Sequence, residues 1–280
     1  MKKFGIVGAG IMGSDVAHLA AQSGFDVILY DCDESNSRAA FEKIQDRLKR
    51  YRADGKISID RVGEITSRIK LHKAIEDLAR ADIVLECVTE DLAIKKEVFR
   101  KLSKICKAGT VLASNTSSIS ITEIASATDC PESVIGIHFL NPARIMKLIE
   151  IIPGLKTTRE TVEMAKGIVK KLGKQHVESK DYPGFLLNRM LYPLINESVY
   201  LLYEGAGTPE AIDKVTRIGL NLPMGPLALA DMIGLDIILA VGEEMYKGYS
   251  DPKYRPCPLL RKYVAGGYLG VKTKRGFYIY

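Results

Sequence analysis

The chain has 280 residues, enough for one large domain or two ordinary ones. Its hydrophobic content of 46% and charged content of 26% are those of a globular protein with a substantial core, which excludes a disordered chain. The formal net charge is +6, but the basic residues are spread along the chain and form no stripe with interleaved aromatic residues. This distribution argues against a nucleic-acid-binding protein and suits an anionic small ligand.

The cysteines and the ends of the chain bear on compartment. Five cysteines are scattered without a CxxC pair or metal-ligand spacing, so we expect free thiols in a reducing compartment and no metal site. The first strand begins close to the N-terminus, which predicts that there is no signal peptide. No apolar run approaches the ~20 residues that cross a bilayer. These features predict a cytoplasmic protein without a membrane anchor.

A glycine-rich turn follows the first predicted strand. The strand Phe4–Gly8 runs into Gly8–Gly13, a helical pattern follows, and a second strand, Val27–Tyr30, ends at Asp31. A GxGxxG motif alone is weak, because glycine turns are common. Placed between a strand and a helix, with an acid 23 positions after the first glycine, it is typical of a dinucleotide-binding turn.

Each part of this turn has a chemical reason. The glycines allow a tight bend and close approach of a pyrophosphate, and the helix N-terminus favours the phosphate charge. Asp31 is suited to bind the adenine ribose and to repel a 2′-phosphate, which favours NAD over NADP. The predicted contacts are Gly8, Gly10, Ile11, Met12, Gly13 and Asp31.

The next segments carry charged residues between apolar ones. Residues 33–70 have a helical pattern broken at Asp54–Gly55, with Asp60 expected to cap a helix that begins near Val62. A strand over 82–88 precedes a helix from Leu92 to Ile105. From the residues alone, Glu90 is interpreted as a cap and Lys95 as a surface cation.

Three apolar runs in the middle of the chain are predicted strands, and each has polar residues in it or at its end. Residues 110–113 lead into a Ser-Asn-Thr-Ser-Ser cluster, residues 134–137 end at His138, and residues 146–152 contain Glu150. A hydroxyl, an imidazole and an acid at the carboxyl edge of a sheet would make a proton-transfer site. The alternative is structural: a single histidine after a strand is more often part of the packing, and Ser and Asn clusters usually form turns or caps.

The character of the chain changes after Pro153. An amphipathic helix over 157–172 and an edge strand, Gln175–Glu178, complete the first part, and a long helix is predicted from Phe185 to Glu204. Further helices are expected after Thr208, over 227–245 and over 259–265. We therefore predict a Rossmann-type, mostly parallel α/β domain over residues 1–182 and an all-α helical domain over 183–280. Apolar helices in that position predict a wall of the substrate cleft and a homodimer interface.

Several segments resemble the L-3-hydroxyacyl-CoA dehydrogenase family, including its short-chain 3-hydroxybutyryl-CoA members. They are SNTSS at 114–118, HFLNP at 138–142, KLIEI at 147–151, PGFLLNR at 183–189, NLPMGPLALADMIGLD at 221–236 and GVKTKRGFYIY at 270–280. The strand over 82–88 followed by Glu90 and Lys95 resembles the family's strand-then-glutamate segment as well, so with the N-terminal glycine turn the resemblance runs nearly from end to end. It implies an NAD-dependent enzyme that interconverts an (S)-3-hydroxyacyl-CoA, with 3-hydroxybutyryl-CoA favoured, and the 3-ketoacyl-CoA in fatty-acid or butyrate metabolism.

The resemblance also implies roles for individual residues. His138 is implied as the general base, Glu150 as its partner, and Ser117 and Asn188 as the residues that hold the substrate oxygens. Without the resemblance, Asn188 would be interpreted as an amide satisfied within helix packing.

Further ligand contacts are implied in the same way. Glu90, Lys95, Asn115, Ser117, His138 and Lys272 are implied to contact the cofactor, and Arg50 and Lys56 are candidates for the coenzyme A phosphates, although such cations usually form a solvated face. The family usually has glycine where this chain has Lys274, and lysine is a strained choice if that position needs a positive φ.

Two other functions remain open at this level. One is a dehydrogenase of the same fold that acts on a non-CoA hydroxy acid or sugar acid, which a screen of free acids against CoA thioesters would separate. The other is a non-catalytic nucleotide-binding structural protein, which would bind NADH without turning over any hydroxy acid.

Overall fold

The computed structural model describes residues 1–280 and divides the chain into two compact units, Met1–Tyr182 and Pro183–Tyr280. The first unit contains a mostly parallel sheet with helices, and the second is helical, so the predicted fold class is confirmed. No helix combines the length and the apolar character needed to cross a membrane.

One eight-stranded sheet forms the centre of the first unit. Its strands are β1 (Lys3–Val7), β2 (Asp26–Tyr30), β3 (Ile69–His72), β4 (Ile83–Glu86), β5 (Val111–Ser114), β6 (Val134–Phe139), β7 (Leu148–Pro153) and β8 (Gln175–Glu178). Their order is β3-β2-β1-β4-β5-β6-β7-β8, and every pair is parallel except β6 with β7. The carboxyl ends of β1, β2, β4, β5 and β6 therefore lie at one edge of the sheet, together with the amino end of β7. The strand order reverses beside β1, where open α/β sheets bind ligands.

Helices enclose this sheet. They are α1 (Ile11–Gln22), α2 (Glu34–Ala53), α3 (Ile59–Arg68), α4 (Leu92–Ile105), α5 (Ile121–Ala125) and α6 (Arg159–Lys171). Because helices cover the central strands, β4 and β5 are buried along their whole length, and both are apolar without alternation up to their last residues, Glu86 and Ser114. The predicted bounds of α4 and β8 are confirmed.

The second unit packs helices around a core of its own. The helices are α7 (Leu187–Tyr203), α8 (Pro209–Lys214), α9 (Pro226–Ile233), α10 (Leu235–Tyr249) and α11 (Pro258–Ala265). Tyr192, Ile195, Leu227, Leu235 and Leu260 are among the buried residues of this core. A π-helical turn, Val215–Gly219, continues α8.

Three predicted helix bounds are wrong for local reasons. The cap of α3 is Ser58, whose hydroxyl accepts a hydrogen bond from the amide of Arg61, so the helix begins before the expected Asp60 cap. The long helix α7 begins after Phe185, which has a φ of 50° and is therefore outside helical geometry. The stretch 227–245 contains two helices, because Gly234 has a φ of 112° and interrupts them.

Candidate active site

Two glycines of the turn after β1 are required by packing. Gly8 has a φ of 97°, and a Cβ there would lie 2.7 Å from the backbone oxygen of Cys87. A Cβ on Gly13 would lie 1.9 Å from the backbone oxygen of Gly8. The first turn of α1 therefore packs directly against the end of β1.

Gly10 differs, because no atom beyond its two neighbours in the chain lies within 4 Å of the position that its Cβ would take. No side chain caps the N-terminus of α1, which begins at the next residue, Ile11. Asp31 fixes the neighbouring loop, since its Oδ2 accepts a hydrogen bond of 2.7 Å from the amide of Ala9. Open space over an uncapped helix start, with a carboxylate at the end of β2, fits a dinucleotide.

His138 and Glu150 form a buried pair across the β6–β7 hairpin. The antiparallel register places them directly opposite each other. His138 Nδ1 lies 2.8 Å from Glu150 Oε2, and Glu150 is fully buried. When Glu150 is ionised, Nδ1 carries the proton that it donates, and the basic lone pair belongs to Nε2. The prediction that the Glu150 carboxylate is buried and paired with the His138 imidazole is therefore confirmed.

A second buried ion pair lies at the end of β4. Lys95 is only 1% exposed, and its Nζ donates to Glu86 Oε1 at 2.7 Å and lies 3.3 Å from Glu90 Oε2. Burial opposes the charged form, but the two carboxylates outweigh it and raise the pKa of Lys95 above its ordinary value. Lys95 is therefore not a surface cation, and the cap of α4 is Asp91 rather than Glu90.

Glu90 organises the polar cluster that follows β5. Its Oε1 accepts hydrogen bonds from Thr116 Oγ1 at 2.5 Å, from the Ser117 amide at 3.0 Å and from the Ser118 amide at 3.2 Å. Burial opposes its ionisation, but Lys95 and then Thr116 outweigh this effect and lower the pKa of Glu90. Ser117 therefore lies in a loop that an ionised carboxylate holds in place.

Asn115 connects this loop to β6. Its Oδ1 accepts a hydrogen bond of 2.9 Å from the amide of Phe139, the residue after His138. The first unit thus brings the glycine turn, Asp31, Glu90, Asn115, Ser117, His138 and Glu150 to one edge of its sheet.

Sequence reasoning overlooked Glu86. It is fully buried in β4, and its carboxylate accepts hydrogen bonds from Lys95, from the Val88 amide at 2.7 Å and from Ser114 Oγ at 2.7 Å. The sequence does contain a signal for it, because Glu86 is a single acid in an otherwise apolar predicted strand, the same pattern that indicates Glu150.

The predicted coenzyme A cations lie on the surface. Arg50, near the end of α2, donates to the backbone oxygen of Asp46 at 3.4 Å. Lys56 follows that helix and pairs with Asp54 at 2.9 Å. Both cations are exposed, and their partners are close in sequence.

The remaining predicted site residues belong to the second unit. Asn188 lies in the first turn of α7. Lys272 forms an ion pair with Asp236, with Nζ 2.5 Å from Oδ1. Lys274 has a φ of 59°, so this position does adopt the left-handed conformation for which glycine is better suited.

Two family models match the chain and together cover almost all of it. The 3-hydroxyacyl-CoA dehydrogenase NAD binding domain matches residues 3–182. The 3-hydroxyacyl-CoA dehydrogenase C-terminal domain matches residues 184–280.

Similar proteins match over their whole length. A probable 3-hydroxybutyryl-CoA dehydrogenase of Bacillus subtilis strain 168 is 48% identical over the whole chain and 98% of that protein. A 3-hydroxybutyryl-CoA dehydrogenase of Bradyrhizobium diazoefficiens is 46% identical over the whole chain and 96% of that protein. The crystal structure of (S)-3-hydroxybutyryl-CoA dehydrogenase from Ralstonia eutropha has a TM-score of 0.96 and 42% identity, and the match covers 100% of this chain and 99% of that one.

Proposed function

This chain belongs to the 3-hydroxyacyl-CoA dehydrogenase family, and we infer that it interconverts (S)-3-hydroxybutyryl-CoA and acetoacetyl-CoA with NAD, in fatty-acid or butyrate metabolism. It is an oxidoreductase that acts on a CH–OH group. Among the structural observations, the buried His138–Glu150 pair carries this inference, because it lies at the same sheet edge as the dinucleotide turn.

Proton transfer is the task of the His138–Glu150 pair. His138 Nε2 takes the 3-hydroxyl proton in the oxidative direction and returns it in the reductive direction. Glu150 accepts the hydrogen bond from Nδ1 and stabilises the imidazolium that forms. Ser117 and Asn188 hold the substrate oxygens, and the Asn188 amide stabilises the negative charge that develops there.

The chemistry that bound NAD supplies is hydride exchange with C3 of the substrate. Asp31 favours NAD over NADP, because a 2′-phosphate beside an ionised carboxylate is repelled. The residues proposed to hold the cofactor are Gly8, Gly10, Ile11, Met12, Gly13, Asp31, Glu90, Lys95, Asn115, Ser117, His138 and Lys272. Lys95 is buried and Lys272 is already paired, so for these two the proposal rests on the family resemblance.

The phosphates of the coenzyme A part of the substrate are anionic and need cations, and Arg50 and Lys56 are the proposed contacts with them. Both side chains are exposed. Arg50 donates to the backbone oxygen of Asp46 and Lys56 pairs with Asp54, and such surface interactions are weak. A phosphate can therefore replace either partner at little cost in free energy.

We also propose the assembly and the compartment. Residues 1–182 act as the NAD-binding domain, and residues 183–280 form a cleft wall and the interface of a homodimer. All five cysteines are free thiols, which supports a cytoplasmic location, where thiols stay reduced.

Turnover of acetoacetyl-CoA tests the function. We expect NADH oxidation with acetoacetyl-CoA, but little activity with NADPH or with free acetoacetate. Activity on the free acid would indicate a dehydrogenase of non-CoA acids instead. NADH binding without turnover of any substrate would indicate a non-catalytic protein.

Replacement of the base tests the mechanism. His138→Ala should lower kcat by about 10²- to 10⁴-fold, the usual contribution of a positioned acid–base group. The affinity for NADH, measured by fluorescence titration, should change much less than kcat, because His138 is only one of the proposed cofactor contacts and the glycine turn and Asp31 are intact. An unchanged rate would remove His138 from this role.

A further inference from the structure

One carboxylate in α1 is paired with two guanidinium groups. Asp15 is 4% exposed, and its Oδ1 accepts hydrogen bonds from Arg47 Nη1 at 2.9 Å and from Arg144 Nε at 2.7 Å. A buried carboxylate needs such partners, because an unpaired charge in the interior is costly. The two arginines come from different elements, Arg47 from α2 and Arg144 from the connection between β6 and β7.

Arg144 makes a third connection. Its Nη1 donates to the Tyr51 hydroxyl at 2.7 Å, and Tyr51 lies in α2. The Asp15 carboxylate and the Arg144 side chain together therefore join α1, α2 and the β6–β7 connection. The mechanism assigned above uses none of these three residues.

The β6–β7 connection, residues 140–147, depends on such side chains for its position. Within it, the backbone oxygen of Pro142 accepts hydrogen bonds from the amides of Ile145 and Met146. From outside, Lys174 Nζ donates to the backbone oxygens of Arg144 at 2.9 Å and Met146 at 2.7 Å. Ala143 is buried in the core, but Ile145 is 65% exposed, so apolar burial holds only part of the connection.

This connection joins the two strands that carry the proton-transfer pair. His138 lies one residue before the end of β6, and Glu150 is the third residue of β7. The helix that carries Asp15 begins at Ile11 within the glycine turn, four positions before Asp15. A helix is rigid over that distance, so an anchor at Asp15 sets the hairpin relative to the turn.

We propose that Asp15, acting through Arg144, is a positioning residue that holds the His138–Glu150 hairpin in register with the dinucleotide turn. The proposal rests on the proposed function, since it assigns the hairpin to proton transfer and the turn to NAD. Misplacement by about 1 Å of groups that must meet in a hydride and proton transfer costs about 10²-fold in rate. The effect belongs to kcat rather than to cofactor binding.

The chain offers a matched control for this proposal. Arg144→Met and Arg47→Met each remove one guanidinium from Asp15 and leave the other in place, and the two arginine side chains have similar exposures of 16% and 24%. Only Arg144 belongs to the hairpin, whereas Arg47 lies in α2. We expect Arg144→Met to lower kcat by about 10- to 100-fold with the KM for NADH within about twofold, and Arg47→Met to keep kcat within about twofold.

A second measurement tests whether the hairpin is held in place and does not depend on enzyme activity. Hydrogen exchange of the backbone amides in residues 138–150 should be faster in Arg144→Met than in the wild type, and unchanged in Arg47→Met. Tyr51→Phe, which removes only the hydroxyl that Arg144 contacts, should lower kcat less than Arg144→Met without changing Tm. Tyr51→Phe keeps the test available if Arg144→Met does not fold.

The outcomes separate the two inferences. If the wild type turns over acetoacetyl-CoA but both arginine variants lose the same fraction of kcat, the network is only structural and the positioning role is wrong. A Tyr51→Phe variant with an unchanged kcat would also argue against it. If hydrogen exchange in residues 138–150 is faster in Arg144→Met but not in Arg47→Met, and the wild type is nevertheless inactive, Arg144 does hold the hairpin in place but the proposed function is wrong.

Discussion

One histidine outside the proposed proton-transfer pair has a pKa well below its ordinary value. His18 in α1 is fully buried beside the Asp15 network. Burial, and then the nearby Arg47 and Arg144 cations, lower its pKa from 6.5 to about 4, while Asp15 opposes the shift. At neutral pH the imidazole of His18 is therefore uncharged in the folded protein.

This shift predicts a loss of stability in mild acid. The unfolded chain binds a proton on His18 near pH 6.5, whereas the folded chain does so only near pH 4. The unfolded state thus binds more protons between these values, and the free energy of unfolding decreases as the pH falls through that window. Between pH 7.5 and 4.5 the expected loss from this group is about 2 to 3 kcal/mol.

The measurement is urea unfolding followed by circular dichroism at both pH values, for the wild type and for His18→Gln. The variant should lose less stability than the wild type over this interval, because its amide does not titrate. Equal losses in the two proteins would show that His18 is protonated alike in the folded and unfolded states.

The residue scale also shows which site residues a sequence can reveal. His138 and Glu150 are twelve positions apart and face each other across a hairpin, so spacing and family resemblance found them. Asp15 and Arg144 are 129 positions apart, and a single charged residue in a helix or a loop is indistinguishable from a surface residue until the fold is known. Their partnership could not be predicted from the sequence.

At the scale of elements, the turn between β1 and α1 separates packing from ligand binding. A Cβ on Gly13 would overlap the backbone oxygen of Gly8, while the corresponding space at Gly10 is open. One glycine is therefore required by the fold, and the other leaves room that a dinucleotide would fill.

Two alanine substitutions exploit this difference. Gly10→Ala should fold with a change in the free energy of unfolding of no more than about 1 kcal/mol, since alanine is only a poorer cap than glycine. Its affinity for NADH should fall at least about tenfold, because the methyl group occupies the space next to the helix start. Gly13→Ala should be destabilised by several kcal/mol or fail to fold, as for a steric overlap with the backbone.

Thermal unfolding and NADH fluorescence titration on both variants provide the test. Loss of stability in Gly10→Ala as large as in Gly13→Ala would mean that both glycines serve packing alone. Unchanged NADH affinity in Gly10→Ala would place the cofactor away from this turn.

The ends of a helix or strand could be predicted from the sequence where only one set of residues could form them. The helix α4 and the edge strand β8 follow directly from apolar periodicity and the residues that flank it. The start of α3 was missed because Ser58 and Asp60 are both good caps, and only the backbone path decides between them. The start of α7 was missed because Phe185 adopts a positive φ that an aromatic residue rarely takes.

At the scale of the whole molecule, the second unit exposes an apolar face around α8. We define this face by Leu201, Val215, Ile218, Leu220 and Met224. Ile218 and Met224 line a cavity of about 640 Å³ in this unit, together with Asp213 and Tyr278. Exposed large apolar side chains that cluster in one segment of the chain, as Val215, Ile218, Leu220 and Met224 do, are more typical of interaction sites than of free surface. We propose that the face is the homodimer interface.

A single charge on this face tests the assembly. The wild type should elute as a species of twice the chain mass in size-exclusion chromatography with light scattering. Ile218→Asp should shift it to the monomer at micromolar concentration, because each large apolar side chain buried contributes about 1.5 to 3 kcal/mol and a buried unpaired carboxylate costs more. Ile218 is 73% exposed, so the substitution should leave the fold of the unit intact.

The matched control is Leu155→Asp, at an 84% exposed leucine of the first unit that lies outside this face. It introduces the same charge on an apolar surface residue and should leave the dimer unchanged. A monomeric wild type would remove the interface, and a dimeric Ile218→Asp variant would move it to another surface. Dissociation by both substitutions would show that dimer formation responds to net charge rather than to contact at Ile218.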